Sequence, residues 1–257
     1  MRILTLCTLS LAAIGLAHAA APVLMIDATP IDPRVLEIIG KYVTDSDFVR
    51  WRDIGADSSL AAKVKPSQRW DYARSLDELR FQVGRGCADR TMWYFSPASG
   101  RELQDVLGSV ASAVKLIHGS GCPQAGIAPG AEFWGYQGHC KFDLDASVYL
   151  KVDWTQVDRV MVQGAAWLRE GCANGAENYR KFMTTLIACL RQRNPRIQVY
   201  AHLSLRLTPP AMLVDAMRAL AADVDGVSLG YPLYGEHVYC TPENLEAVLS
   251  ARLQPRR

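Results

Sequence analysis

The sequence predicts a single α/β domain, a (β/α)8 TIM-type barrel or a shortened variant of it, closed by disulfides; an open doubly wound parallel sheet is the alternative. Three observations carry this expectation. Six short apolar runs of strand length alternate with amphipathic helical segments, the grammar of a parallel sheet covered by helices. The stretch from Thr44 to Cys87 leaves room for one or two further strands. Neither G-x-G-x-x-G after the first strand nor G-x-x-x-x-G-K-[ST] occurs, so the usual signatures of a nucleotide-binding open sheet are missing.

The chain opens with a segment to be set apart from the fold. Residues 1–19 carry Arg2 as a short basic region, an apolar run from Ile3 to Leu16 and the small-x-small triplet Ala17-His18-Ala19. That is the pattern of a cleaved secretory signal peptide, and the run is shorter than the roughly 20 residues a membrane span requires. Residues 20–257 then form the barrel domain, and a secreted or periplasmic location is expected.

The strand runs are "VLMID" from Val23, "TMWYF" from Thr91, "AGIAPG" from Ala125, "DRVMVQG" from Asp158, "IQVYAHLSL" from Ile197 and "DGVSLGYP" from Asp225. Between them a helix near Pro33–Val43 repeats Val35, Ile38, Ile39 and Val43. "SGRELQDVLGSVASAVKLIHG" sets Leu103, Val106, Leu107, Val110, Val114 and Ile117 on one stripe, with Ser99 and Glu102 as a capping box and Gly119 as its end. "ENYRKFMTTLIACLRQRNP" stops before Pro195 with Arg191 and Arg193 in the last turn, where cations suit the helix dipole. Thr208-Pro209 and Thr241-Pro242 each read as an N-cap followed by proline at the first helical position.

Composition narrows the function classes. The 28 basic and 26 acidic side chains nearly balance, so there is no electrostatic case for nucleic acid or for an anionic membrane surface after signal cleavage. A small molecule or a glycan is the expected ligand. Beyond Cys7 there are six cysteines, Cys87, Cys122, Cys140, Cys172, Cys189 and Cys240, an even number in a chain with an export signal. Three disulfides are expected, with Cys172–Cys189 and either Cys87–Cys122 or Cys122–Cys140 as the local closures. No C-x-x-C, H-E-x-x-H or complete calcium loop occurs, so neither metal nor cofactor is expected.

In such barrels chemistry sits at the C-terminal ends of the strands. That rule selects Asp27 after "VLMI", Ser96, Glu132 just past "AGIAPG", Gln163, Ser204, Arg206, Tyr231 and Glu236. The stretch "IQVYAHLSLR" is the most informative. Ile197, Val199, Ala201, Leu203 and Leu205 share one face, and Gln198, Tyr200, His202, Ser204 and Arg206 share the other. A polar face in a strand flanked by helices is unfavourable unless partners or a ligand satisfy it. His202 is therefore a candidate acid–base group beside the carboxylates Glu132 and Asp27, with Gln163, Tyr200, Ser204, Arg206 and Tyr231 as substrate contacts. Trp93 and Trp134 offer the aromatic faces on which sugar rings stack. "GVSLG" matches G-x-S-x-G in letters, but Ser228 lies inside a strand run and not at a turn into a helix, so it is not expected to be a nucleophile. The segment Ala131–Thr155 is long for a strand-to-helix connection, and long loops of this kind are more often functional than accidental.

Taken together, "VDWTQVDRVMVQGAAW", "NPRIQVYAHLSLRLTPP" and "DGVSLGYP" resemble the second half of exported glycoside-hydrolase-like TIM barrels, over residues 152–232. The resemblance implies a carbohydrate-active hydrolase with strand-end carboxylate chemistry. It departs from that pattern in lacking Glu or Asp at the ends of "VMVQG", "AHLSL" and "SLGYP", where a two-carboxylate glycosidase often places one. Two alternatives follow from the residues: a barrel that binds a saccharide or other small ligand without turning it over, and a lyase or isomerase using His202 with a tyrosine.

Overall fold

The computed structural model describes residues 23–28, 32–50, 60, 62–85, 87, 92–96, 103–138, 140–142, 152–164, 167–168, 172–206, 208–231 and 239–252. The expected signal segment, the expected Ser99/Glu102 capping box, His139 and Glu236 lie outside the described residues. Eight parallel strands close into a barrel: β1 (Val23–Ala28), β2 (Phe48–Arg50), β3 (Arg69–Ala73), β4 (Met92–Phe95), β5 (Gln124–Ile127), β8 (Arg159–Gln163), β9 (Gln198–Ser204) and β10 (Gly226–Tyr231). A separate antiparallel hairpin, β6 (Tyr136–Gly138) and β7 (Lys141–Phe142), stands in the long β5–β8 connection. The chain is a (β/α)8-type barrel, and the stretch from Thr44 to Cys87 supplies both missing strands.

Six α-helices cover the barrel among the described residues: α1 (Pro33–Tyr42), α2 (Leu76–Val83), α3 (Leu103–Gly119), α4 (Gly175–Arg193), α5 (Pro210–Leu220) and α6 (Pro242–Arg252). Their starts are set locally. Asp32 accepts from the Arg34 amide ahead of Pro33. Ser75 accepts from the Glu78 amide while Glu78 accepts from the Arg74 amide. Thr241 accepts from the Asn244 amide, as expected of an N-cap. Helix α5 corrects the expectation by one position: Pro209 is the N-cap, and Thr208 is fully buried.

Strand alternation divides the apolar residues into two layers. Met25, Trp70, Tyr94, Ala128, Met161 and Tyr200 pack inside the barrel. Leu24, Ile26, Val49, Phe95, Val160, Val162, Val199, Ala201, Leu203, Val227 and Leu229 face outward into the larger core under the helices. The apolar face of β9 is thus what the covering helices bury, and its polar face looks into the barrel.

Two disulfides form, Cys87–Cys122 and Cys140–Cys172, with Cα atoms 5.2 and 5.7 Å apart. The first joins the segments that enter β4 and β5, and the second ties the hairpin turn to the start of α4. Cys172–Cys189 does not form, and the reason is geometric. Cys189 lies near the far end of α4, and at 1.5 Å per residue the intervening helix holds the two roughly 20 Å apart, well beyond disulfide reach. Cys189 and Cys240 carry thiols instead of a third bridge. Two disulfides are compatible with an exported protein, and no described helix is long and apolar enough to cross a membrane.

Candidate active site at the barrel mouth

The C-terminal ends of β1, β2, β3, β9 and β10 bring a polar group together. Asp27 ends the inward row of β1, and its Oδ1 accepts from Arg50 Nη1 at 3.0 Å. Arg50 Nε lies 3.5 Å from Asp71 Oδ1, and the guanidinium stands 4.3 Å over the ring of Tyr72. Burial works against a charge on Arg50, yet the fields of Asp27, Tyr72 and Asp71 outweigh it and raise its pKa. On the far side of Tyr72, Arg74 donates from Nη2 to the phenol oxygen at 3.2 Å. A ladder of carboxylate, guanidinium, phenol and guanidinium therefore runs around one side of the mouth.

The other side is built by β9 and β10. The His202 imidazole meets Ser228 Oγ through Nδ1 at 3.0 Å, and Ser228 is fully buried in β10. Gly230, two residues on, has no side chain where one would meet the ring: a Cβ there would stand 3.1 Å from Cε1 and 3.3 Å from Nε2. Asp27 and Gly230 are register partners between β1 and β10, as Gly230 and Ser204 are between β10 and β9. Asp27 and His202 thus flank β10 from its two neighbouring strands. Burial lowers the imidazole pKa, and the field of Asp27 opposes this without reversing it.

The remaining expected site residues are placed as follows. Gln163, half-buried at the end of β8, is the register partner of His202. Ser204 is buried beside Gly230 and accepts from the Arg206 amide, and Arg206 is exposed in the turn beyond β9. Ser96 donates to the Ala128 carbonyl at 2.8 Å, closing β4 onto β5. Tyr200 shares the interior face but lies a layer deeper, with its hydroxyl accepting from Arg159 and not reaching the mouth.

Tyr231 does not face the interior. Alternation along β10 sends Ser228 and Gly230 inward and Tyr231 outward, where its hydroxyl donates to the Cys240 carbonyl. Trp134 packs on Phe133 and Trp154 in the outer core, because it belongs to the short 3-10 helix Ala131–Trp134 and not to a strand. The backbone of Glu132 is in that same turn and that of Trp93 in β4; their side chains lie outside the described residues.

Sequence reasoning missed Arg50 and Tyr72. Arg50 ends a three-residue strand, too short to show period-2 alternation. Tyr72 sits in "RWDYA", where two aromatics alternate with charged residues and no apolar face is continuous. The inward positions of β3 are detectable only once the strand is placed.

A closed parallel barrel with its polar groups at the C-terminal mouth defines the class: a TIM-type barrel. No protein-family model matches the chain, and no curated protein matches it. Among solved structures, the chain is similar to a protein of Toxoplasma gondii ME49 described as a deoxyribose-phosphate aldolase, with a TM-score of 0.53 and 9% identity over 90% of this chain and 92% of that one. At that identity the likeness concerns the fold alone. The homocysteine methyltransferase MmuM of Escherichia coli aligns with a TM-score of 0.42 and 10% identity, over 90% of this chain and 96% of that one.

Proposed function

We propose that the protein is an exported lyase- or isomerase-type enzyme that moves protons at the barrel mouth on a small hydroxylated carbonyl compound. The observation that supports this best is the placement of His202 on Ser228 with Asp27 across β10. Ser228 has no hydrogen-bond partner but the ring among the described residues, and a buried hydroxyl left without an acceptor is costly. It is satisfied when it donates to Nδ1. The ring proton of the neutral imidazole then sits on Nε2, which becomes a fixed donor.

Asp27 engages Arg50 through one carboxylate oxygen, and its other oxygen has no partner among the described residues. In the proposed reaction that oxygen takes a proton from the carbon next to the substrate carbonyl. His202 Nε2–H donates to the carbonyl oxygen as the enediol forms; Asp27 then returns its proton to the former carbonyl carbon while the hydroxyl on the carbon first deprotonated gives its proton back to His202 Nε2, which leaves the isomeric carbonyl and restores both groups. Arg50, itself stacked on Tyr72, holds the carboxylate in place, and Ser228 sets the tautomer. The deciding test is deuterium incorporation from heavy water into a panel of aldoses, ketoses and hydroxy ketones. Exchange by the wild type that is lost in Asp27→Asn and His202→Gln supports the reading, and a panel with no exchange overturns it.

A glycoside hydrolase is the second reading, favoured by Asp27 at the end of β1 and Glu132 just beyond β5, two acids rising from different strands. Glycan cleavage abolished by Glu132→Gln, with unchanged melting temperature, supports that reading over the first.

A further inference from the structure

At the opposite end of the barrel, the first residue of β8 turns a charge inward. Arg159 is 6% exposed, its Nη1 donates to Tyr200 Oη at 3.0 Å, and its guanidinium lies 4.8 Å from the Phe48 ring and 5.4 Å from the Tyr200 ring. Its Nε is buried with no hydrogen-bond partner. Among the described residues no carboxylate pairs with it. The nearby acids are committed elsewhere: Asp158 accepts from the Ala125 amide and faces His118, and Asp225 accepts from the Val199 amide and from Arg191.

The surrounding groups are rich in donors. Tyr200 accepts from Arg159, and its own proton has no acceptor among the described residues. Tyr94, the other phenol of this layer, donates to the weak acceptor Met25 Sδ at 3.4 Å and lies against the Arg159 guanidinium. Gln124 and Gln198, inward by alternation on β5 and β9, each hold a buried amide oxygen without a partner. Since amide oxygen and nitrogen are interchangeable by a flip, each can present N–H instead. Phe48 is only partly buried, so this floor reaches solvent. A buried guanidinium without a counter-charge is strongly unfavourable, and contacts with aromatic faces offset only part of that.

We propose that the floor of the barrel binds a small monovalent inorganic anion of chloride size, held by the Arg159 guanidinium through its Nε–H edge, as a second site separate from the mouth. It does not depend on the proposed reaction. The test is thermal unfolding of the oxidised mature chain in chloride against bulky gluconate at matched ionic strength, joined to diffraction from crystals grown in bromide. The melting temperature is expected to rise by about 3 °C for each tenfold increase in chloride beyond half-saturation, and Arg159→Gln to lose that dependence. An anomalous bromide peak is expected beside Arg159 Nε. Equal behaviour in chloride and gluconate, or the same chloride dependence in Arg159→Gln, overturns the proposal. The bromide experiment uses wild-type protein, so it decides the question even if the variant does not fold: no peak at Arg159 overturns the site.

Discussion

Arg252, in the last turn of α6, grips Asp47 through Nη1 and Nη2 at 2.9 and 2.7 Å, and both side chains are almost wholly buried. Asp47 also accepts from the Leu24 amide in β1 and from the amide and hydroxyl of Thr44. One carboxylate thus fastens the final helix to the first two strands, where the barrel closes on itself. Asp47→Ala leaves a buried guanidinium and three donors unpaired and is expected to cost about 3–5 kcal/mol. Urea unfolding measures this, and a loss under about 1 kcal/mol would show the clamp to be dispensable.

His202 gives a pH dependence with a definite sign. Burial holds its folded pKa below the ordinary imidazole value of 6.5, so the unfolded chain binds the proton more readily. Stability is complete above about 6.5 and is lost progressively as pH falls through that value toward the folded pKa. His202→Gln is expected to flatten the stability profile in this window. A profile unchanged by the substitution would place the acid sensitivity elsewhere.

Ser228→Ala removes the group that fixes the His202 tautomer while subtracting only one buried oxygen. The expected result is a folded protein whose imidazole nitrogens, followed by 15N NMR, shift from a single Nε2–H form to a mixture. Any activity at the mouth should fall by about tenfold to a hundredfold, corresponding to the roughly 1–3 kcal/mol of a lost buried hydrogen bond. A Ser228→Ala protein with an unchanged 15N pattern would mean that Ser228 does not set the tautomer.

The cysteine assignment is open to direct count. The unreduced, unfolded chain from Ala20 onward is expected to titrate two thiols, Cys189 and Cys240, and a zero count would signal a third bridge. In the native state Cys240 should alkylate slowly at pH 8, since burial pushes its thiol up to about 11 against the opposing field of Arg206. Replacing Cys140 and Cys172 together by Ser should lower stability by about 3–4 kcal/mol, from the loop they close.

The fold was largely legible because its signals are periodic: the six long strand runs and the amphipathic helices follow from alternation and 3.6-residue spacing. What escaped was either short or three-dimensional. Three residues of β2 carry no period, so Arg50 went unseen. Tyr231 is a site candidate by its place at a strand end, whereas alternation from the inward Ser228 decides its face. Cys172 and Cys189 are near in sequence, and a straight helix keeps them apart. The polar face of β9 is legible in the residues alone, but its division into a mouth with His202 and a floor where Tyr200 meets Arg159 of β8 follows only from the register of the neighbouring strands.

Strand β10 has a consequence for how this barrel can vary. Its inward positions are Gly226, Ser228 and Gly230, and the side chains occupying the space before them come from β9: the Tyr200 ring against Gly226, and His202 against Ser228 and Gly230. The two strands divide a single volume, one filling it with large polar side chains and the other staying small. A change in the shape of this interior would require the two to change together, because enlarging any residue on the inner face of β10 evicts its partner from β9.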